Sequence, residues 1–196
     1  MTTVIDVGSG HPMWKLKGHL LELVNSASLY CAVEYAAECH PTIIGDAHNL
    51  PIRDSVADIV ICQAVLEHVT HPQNIVDEIY RILKFGGRLY IYAPFIYGYH
   101  AKPNKYEDYW RFTNSGLKYL LRHFSKIRIE PMGGIMTAFL LMTRPRRFKK
   151  LTMLFDKIFK TGVTQGWYGE ADSPNCQIAR TDELAFCRNC NAHHLR

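Results

Sequence analysis

Val4-Ile5-Asp6-Val7-Gly8-Ser9-Gly10 reads as a short strand running into a glycine turn. Val4, Ile5 and Val7 are apolar and β-branched, the composition of a strand packed on both faces. Glycines at 8 and 10 allow a tight turn and let a ligand approach the backbone closely. Asp6 stands near the strand's end, where open α/β sheets bind their ligands. This is the pattern of a nucleotide-type site. A dinucleotide turn wants a third glycine for helix–strand packing beside a pyrophosphate. Here that position holds Met13, and Pro12 removes a backbone N–H that a phosphate would use. Both features disfavour NAD and favour an adenosine ligand without phosphates. S-adenosylmethionine is the common one.

The pattern repeats downstream. Leu29 to Glu34 reads as a second apolar strand ending in an acid, and a carboxylate there can accept from both ribose hydroxyls. Residues 13–27, between the two strands, have the length of about four helical turns. Thr42 to Asp46 is a third short strand, with Asp46 suited to an adenine amine and Ala47 beside it. Asp58 to Gln63 is a fourth, apolar without alternation and therefore buried on both faces. Asp6, Glu34 and Asp46 form one constellation of acids at successive strand ends.

The segments Ile5 to Gly10, Gly45 to Pro51, Asp58 to Val69 and Glu78 to Leu89, taken in order, resemble the class I S-adenosylmethionine-dependent methyltransferases. The similarity covers roughly residues 4–130 and is nearest to the small-molecule type that includes the ubiquinone-biosynthesis methyltransferases. Asp108-Tyr109-Trp110-Arg111-Phe112-Thr113 resembles a subset found among sugar or cell-envelope biosynthesis proteins. The resemblance implies a Rossmann-like α/β fold: a mostly parallel sheet, helices on both faces and an antiparallel strand near one edge. It implies S-adenosylmethionine held by Asp6, Gly8, Ser9, Gly10, Glu34, Asp46, Ala47 and Gln63. The expected activity is methyl transfer to a small-molecule acceptor, a sugar or cell-envelope precursor among them. A degenerate nucleotide fold that scaffolds a partner without catalysis is the alternative.

Methyl transfer is an in-line displacement at an already activated sulfonium carbon, so the protein chiefly positions the reactants. A general base is needed only for an acceptor hydroxyl of high pKa. In such folds the loop after the fifth strand faces the sulfonium. Here it carries Tyr97, Tyr99, His100, Tyr106, Asp108, Tyr109, Trp110 and Arg111. Histidine alone among these types ordinarily titrates near neutrality, which makes His100 the catalytic candidate. Tyr99, Tyr106, Asp108 and Arg111 are the acceptor-binding candidates, although Asp108 and Arg111 could instead clamp the loop. Trp110 reads as core. Glu67 and His68 read as structural or supporting. Helical residues usually precede the first strand in this family and help cover the cofactor; here the strand starts at residue 4, so a partner or the C-terminal third is expected to cover the site.

The rest of the chain reads consistently. With 196 residues, 47% of them hydrophobic, it suffices for one domain, with a core over 1–131 and an irregular helical or loop extension over 132–196. No apolar run reaches the ~20 residues of a membrane helix, no secretory signal is visible, and six scattered cysteines suit a reducing, cytoplasmic setting. The expected partner is a small molecule, not nucleic acid. Pro72 to Lys84 reads as a helix, Arg88 to Phe95 as the fifth strand, a helix capped by Thr113 follows, and Lys126 to Glu130 is a further strand. Residues 160–175 read as loop, and Glu183 to Arg188 is the candidate for the final antiparallel strand. The basic run 144–150 carries much of the net charge of +5 and reads as a solvated flank. Cys187, Cys190, His193 and His194 have a ligand-like spacing, but the pair ends the chain, where fraying is expected, and no metal is assigned there.

Overall fold

The opening strand β1 (Thr3–Val7) lies near the middle of a seven-stranded sheet. The computed structural model describes residues 1–13, 16–134 and 164–174. The other strands are β2 (Leu29–Glu34), β3 (Ile43–Ile44), β4 (Ala57–Gln63), β5 (Leu83–Pro94), β6 (Ser125–Met132) and β7 (Gly166–Asp172). Their order is β3-β2-β1-β4-β5-β7-β6. The first five pair in parallel, and β7 runs antiparallel to both β5 and β6. The order reverses between β1, from which the chain winds outward to β2 and β3, and β4, which returns to the other side. That switch opens a crevice at the carboxyl ends of the strands.

Alternation sends successive side chains to opposite faces. Val4, Ile61 and Tyr90 pack with Leu20 and Val24 of helix α1 (His19–Ser26). Ile5, Val60, Cys62, Leu89 and Ile91 pack on the other face, with Ile75, Val76 and Ile79 of α2 (Pro72–Ile82) and Leu117 of α3 (Asn114–Leu120). At eleven residues α2 is shorter than the ~12–15 at which isolated helices become marginal, so its buried face holds it. Pro72 starts it without losing a needed donor. The Thr113 side chain caps α3 by accepting from Gly116 N–H.

Three elements differ from the sequence reading. The expected four-turn helix over 13–27 is only α1, because Met13 and Gly18 have φ of 64° and 53°, outside the helical region. The antiparallel strand is β7, within a segment that read as loop. Glycines 166 and 169 are required there by packing: a Cβ on Gly166 would meet Tyr92 Oη at 2.6 Å, and one on Gly169 would meet Ile91 Cγ2 at 2.9 Å. Trp110 is exposed rather than core, its indole N–H donating to Val69 O at 2.8 Å. The candidate strand 183–188, the basic run and the Cys/His tail lie outside the described residues. Among the described residues no helix is long and apolar enough to cross a membrane.

Gly8 is constrained by the protein as well as by any ligand. Its φ is 65°, and a Cβ there would sit 2.4 Å from Val65 Cγ2. Gly8→Ala is expected to cost about 1–3 kcal/mol by overpacking and about 1–2 kcal/mol for the left-handed backbone. Denaturant unfolding measures this, and a change below about 0.5 kcal/mol would mean that Val65 gives way freely.

Candidate active site

The acids near the ends of β1 and β2 and just after β3 lie toward the same end of three neighbouring parallel strands, each anchored differently. Asp6 is buried and accepts from Tyr30 Oη at 2.8 Å. Tyr30 Oη in turn accepts from Met13 N–H at 3.3 Å. Burial, then the charge of Asp6, push the Tyr30 phenol far up, so it stays a donor. Asp6 thus supports the glycine loop from beneath. Glu34 reaches the same loop from the neighbouring strand: its Oε2 accepts from Gly10 N–H at 2.9 Å, and its Oε1 from Tyr35 N–H at 3.0 Å. Gly8 N–H donates to Val33 O at 2.9 Å, and Ser9 is buried with its hydroxyl donating to Gly10 O at 3.0 Å.

Asp46 follows β3, its side chain largely exposed. Its Oδ1 accepts from His48 N–H at 2.9 Å and from the His48 ring at 2.8 Å, and these bonds hold the carboxyl below the usual carboxylate range. The segment after it is fixed from α2. Glu78 accepts from Leu50 N–H at 2.8 Å, and Arg81 donates to Ile52 O, Leu50 O and Asp54. Ala47 packs against the main core. Gln63, half-buried, ends β4, and Ala64 follows at φ 54°, a backbone region uncommon for a non-glycine residue.

The loop after β5 carries the acceptor-side candidates. Asp108 has a fully buried carboxylate. Arg111 grips it in a fork, Nη1 to Oδ1 at 2.5 Å and Nη2 to Oδ2 at 2.7 Å. Arg111 also donates to Tyr97 O and Gly98 O. The guanidinium holds the Asp108 carboxyl at about 2. Asp108 Oδ2 accepts from His100 N–H at 2.9 Å. These two residues therefore build a clamp that fixes residues 97–100, and Asp108 has no surface left for an acceptor; the clamp alternative fits them. His100 is partly exposed, and its Nδ1 lies 3.0 Å from Gly98 O and 3.2 Å from Asp108 Oδ2. Since a carbonyl only accepts, the proton sits on Nδ1 and the Nε2 lone pair faces outward from the clamp. Tyr97 stands edge-on to His100 with centroids 5.0 Å apart, and Tyr99 is exposed.

Sequence reasoning missed two features. Glu67 and His68, on the 3₁₀ turn after β4, meet His100: the two imidazole centroids are 4.9 Å apart, and Tyr106 packs on His68 at 4.4 Å. The signal was present, as an acid–histidine pair directly after a strand at the ligand end of the sheet. The second feature is a strap. Tyr35 Oη donates to Lys105 O, and Lys105 Nζ lies 3.7 Å from Glu38. The loop after β5 thus reaches the turn after β2, across the ends of β4 and β1. This strap links the two loops at that end of the sheet; the expected cover from the C-terminal third lies largely outside the described residues. No local sequence signal reports a contact between residues 35 and 105.

Residues 7–91 match the family model described as "Methyltransferase domain". The chain is similar to the ubiquinone/menaquinone biosynthesis C-methyltransferase of Ruegeria sp. strain TM1040, 41% identical over 58 residues, which is 30% of this chain and 23% of that protein. It spans less than a quarter of the length of the curated relatives it matches. In fold it is similar to an S-adenosylmethionine-dependent methyltransferase from Archaeoglobus fulgidus, at TM-score 0.60 and 16% identity over 87% of this chain and 86% of that one. Haemonchus contortus phosphoethanolamine N-methyltransferase 2, solved with S-adenosyl-L-methionine, aligns at TM-score 0.57 and 13% identity over 89% of this chain and 49% of that one. The strand order with its antiparallel β7, the glycine turn with its three acids and the family match agree: residues 7–91 carry a methyltransferase domain, and the chain has the fold of the S-adenosylmethionine-dependent methyltransferases.

Proposed function

We propose that this chain transfers the methyl group of S-adenosylmethionine to a small-molecule acceptor, a sugar or cell-envelope precursor fitting the tyrosine-rich loop. The observation that carries the reading is Glu34: its carboxylate closes on Gly10 N–H beside the glycine turn, at the end of the strand next to β1. There it can accept from ribose hydroxyls, with the adenine toward Asp46 and Ala47 and the methionine end over Gly8 to Gly10, near Asp6, Ser9 and Gln63. When bound, the cofactor supplies an electrophilic methyl on a positively charged sulfur. This chain's part is to hold the acceptor in line and to take its proton. His100 is the acceptor-side catalytic group through Nε2, Tyr99 and Tyr106 line the acceptor's approach, and Asp108 and Arg111 keep His100 in place.

Calorimetric titration with S-adenosylhomocysteine tests the cofactor half. Glu34→Ala is expected to lose about 1.5–3 kcal/mol of affinity per charge-assisted hydrogen bond removed. Unchanged affinity in that variant would refute the placement, and tighter binding of NAD(H) than of S-adenosylhomocysteine would refute the ligand class.

A further inference from the structure

We propose that Glu67, His68 and His100 form a binding site for one divalent first-row metal ion of the zinc class. One ligand atom from each of the three lies within 4.8 Å of the other two. His68 Nε2 and Glu67 Oε1 are 3.7 Å apart. Zinc–ligand distances of about 2.0–2.2 Å set tetrahedral ligand atoms roughly 3.3–3.6 Å apart, so the His68–Glu67 pair is close to spacing, and His100, within 4.8 Å, closes the set by a shift on the order of 1 Å.

The hydrogen bonds around the two rings point the same way. His68 Nδ1 donates to Glu107 O at 2.6 Å, and His100 Nδ1 donates to Gly98 O with Asp108 beside it. Both protons are therefore on Nδ1, and both rings carry the Nε2 lone pair through which a neutral imidazole ligates. Metal-binding histidines almost always have their second nitrogen held in this way by a carbonyl or carboxylate. The third donor, Glu67, is 1% exposed, and buried carboxylates are characteristically paired or bound to metal. Two histidines and one carboxylate with a remaining position is a donor set that zinc uses where it binds a further oxygen ligand.

The site's existence stands on this geometry; its role rests on the proposed acceptor cleft. The ion's remaining position would take an acceptor oxygen, which narrows the acceptor class to hydroxylated or carboxylated molecules. In the ion-free chain His100 Nε2 meets the acceptor directly, and in the loaded chain it does so through the ion.

The test is calorimetric titration of the full chain with Zn²⁺. It is run in a Cys187→Ser/Cys190→Ser background, so that the tail pair cannot supply the binding. One Zn²⁺ per chain is expected. His100→Gln should weaken it beyond the roughly 10–100-fold that losing a supporting hydrogen bond costs, and His68→Ala/His100→Ala should abolish it. S-adenosylhomocysteine affinity, measured in the same samples, reports that the fold is intact. No Zn²⁺ bound to the background chain, or unchanged affinity in both histidine variants, overturns the proposal. Zn²⁺ binding intact with no S-adenosylhomocysteine binding would instead overturn the methyltransferase reading and leave the ion site standing.

Discussion

His100→Ala is expected to lower turnover by roughly 10²–10⁴, the usual contribution of a positioned proton acceptor, and to leave S-adenosylhomocysteine affinity unchanged. The two effects separate because His100 touches none of the three acids around the glycine turn. Its contacts are Gly98, Asp108 and Tyr97 of the loop after β5 and His68 of the turn after β4. Steady-state kinetics beside cofactor titration distinguish the outcomes. Lower cofactor affinity with normal turnover at saturation would assign His100 to the cofactor side. If both stay normal, the residue is structural or idle. A uniform binding role would raise KM for the acceptor and leave kcat alone.

Asp108→Ala is expected to be the most destabilising substitution in the loop. Removing one partner of a buried ion pair costs about 3–5 kcal/mol. The lower end, about 3 kcal/mol, applies here because Arg111 retains 26% of its side-chain exposure and keeps carbonyl partners at Tyr97, Gly98 and Trp110. The effect has a defined pH dependence. The folded carboxyl titrates at about 2, below the ordinary aspartate value of about 3.9. Its stabilisation is therefore complete above that ordinary value and is lost as pH falls from there through about 2. Urea unfolding of wild type and variant at neutral pH and near pH 3 checks both statements: the gap should narrow at the lower pH. A constant gap would mean that the loss comes from packing. Because Asp108 also accepts from His100 N–H, turnover should fall with stability, and the conservative Asp108→Asn should recover part of the stability without restoring the charge.

Much of this chain is legible from the residues themselves. Val4 to Val7 and Asp58 to Gln63 are apolar without alternation because both faces of a central parallel strand are buried, and that composition identifies the strands without neighbours. Pro72 and Thr113 announce their helices through local chemistry, a ring that fits the first turn and a hydroxyl that caps one. The glycine turn and the acids at positions 6, 34 and 46 are legible for the same reason, since each lies in or just after the carboxyl end of its own strand. Tertiary structure decided the rest. β7 carries the glycines of a loop because Tyr92 and Ile91 press against it from β5, a contact between residues about 75 apart in sequence. The helix expected over 13–27 shrinks to α1 because Met13 and Gly18 adopt left-handed backbone that periodicity does not register. Asp108 and Arg111 read in sequence either as acceptor contacts or as a loop clamp, since a charged pair three residues apart says nothing of which way it faces; the fork between them and the His100 N–H bond form the clamp. Glu67, His68 and His100 become neighbours only because β4 and β5 lie side by side, bringing the loops at their ends to one place.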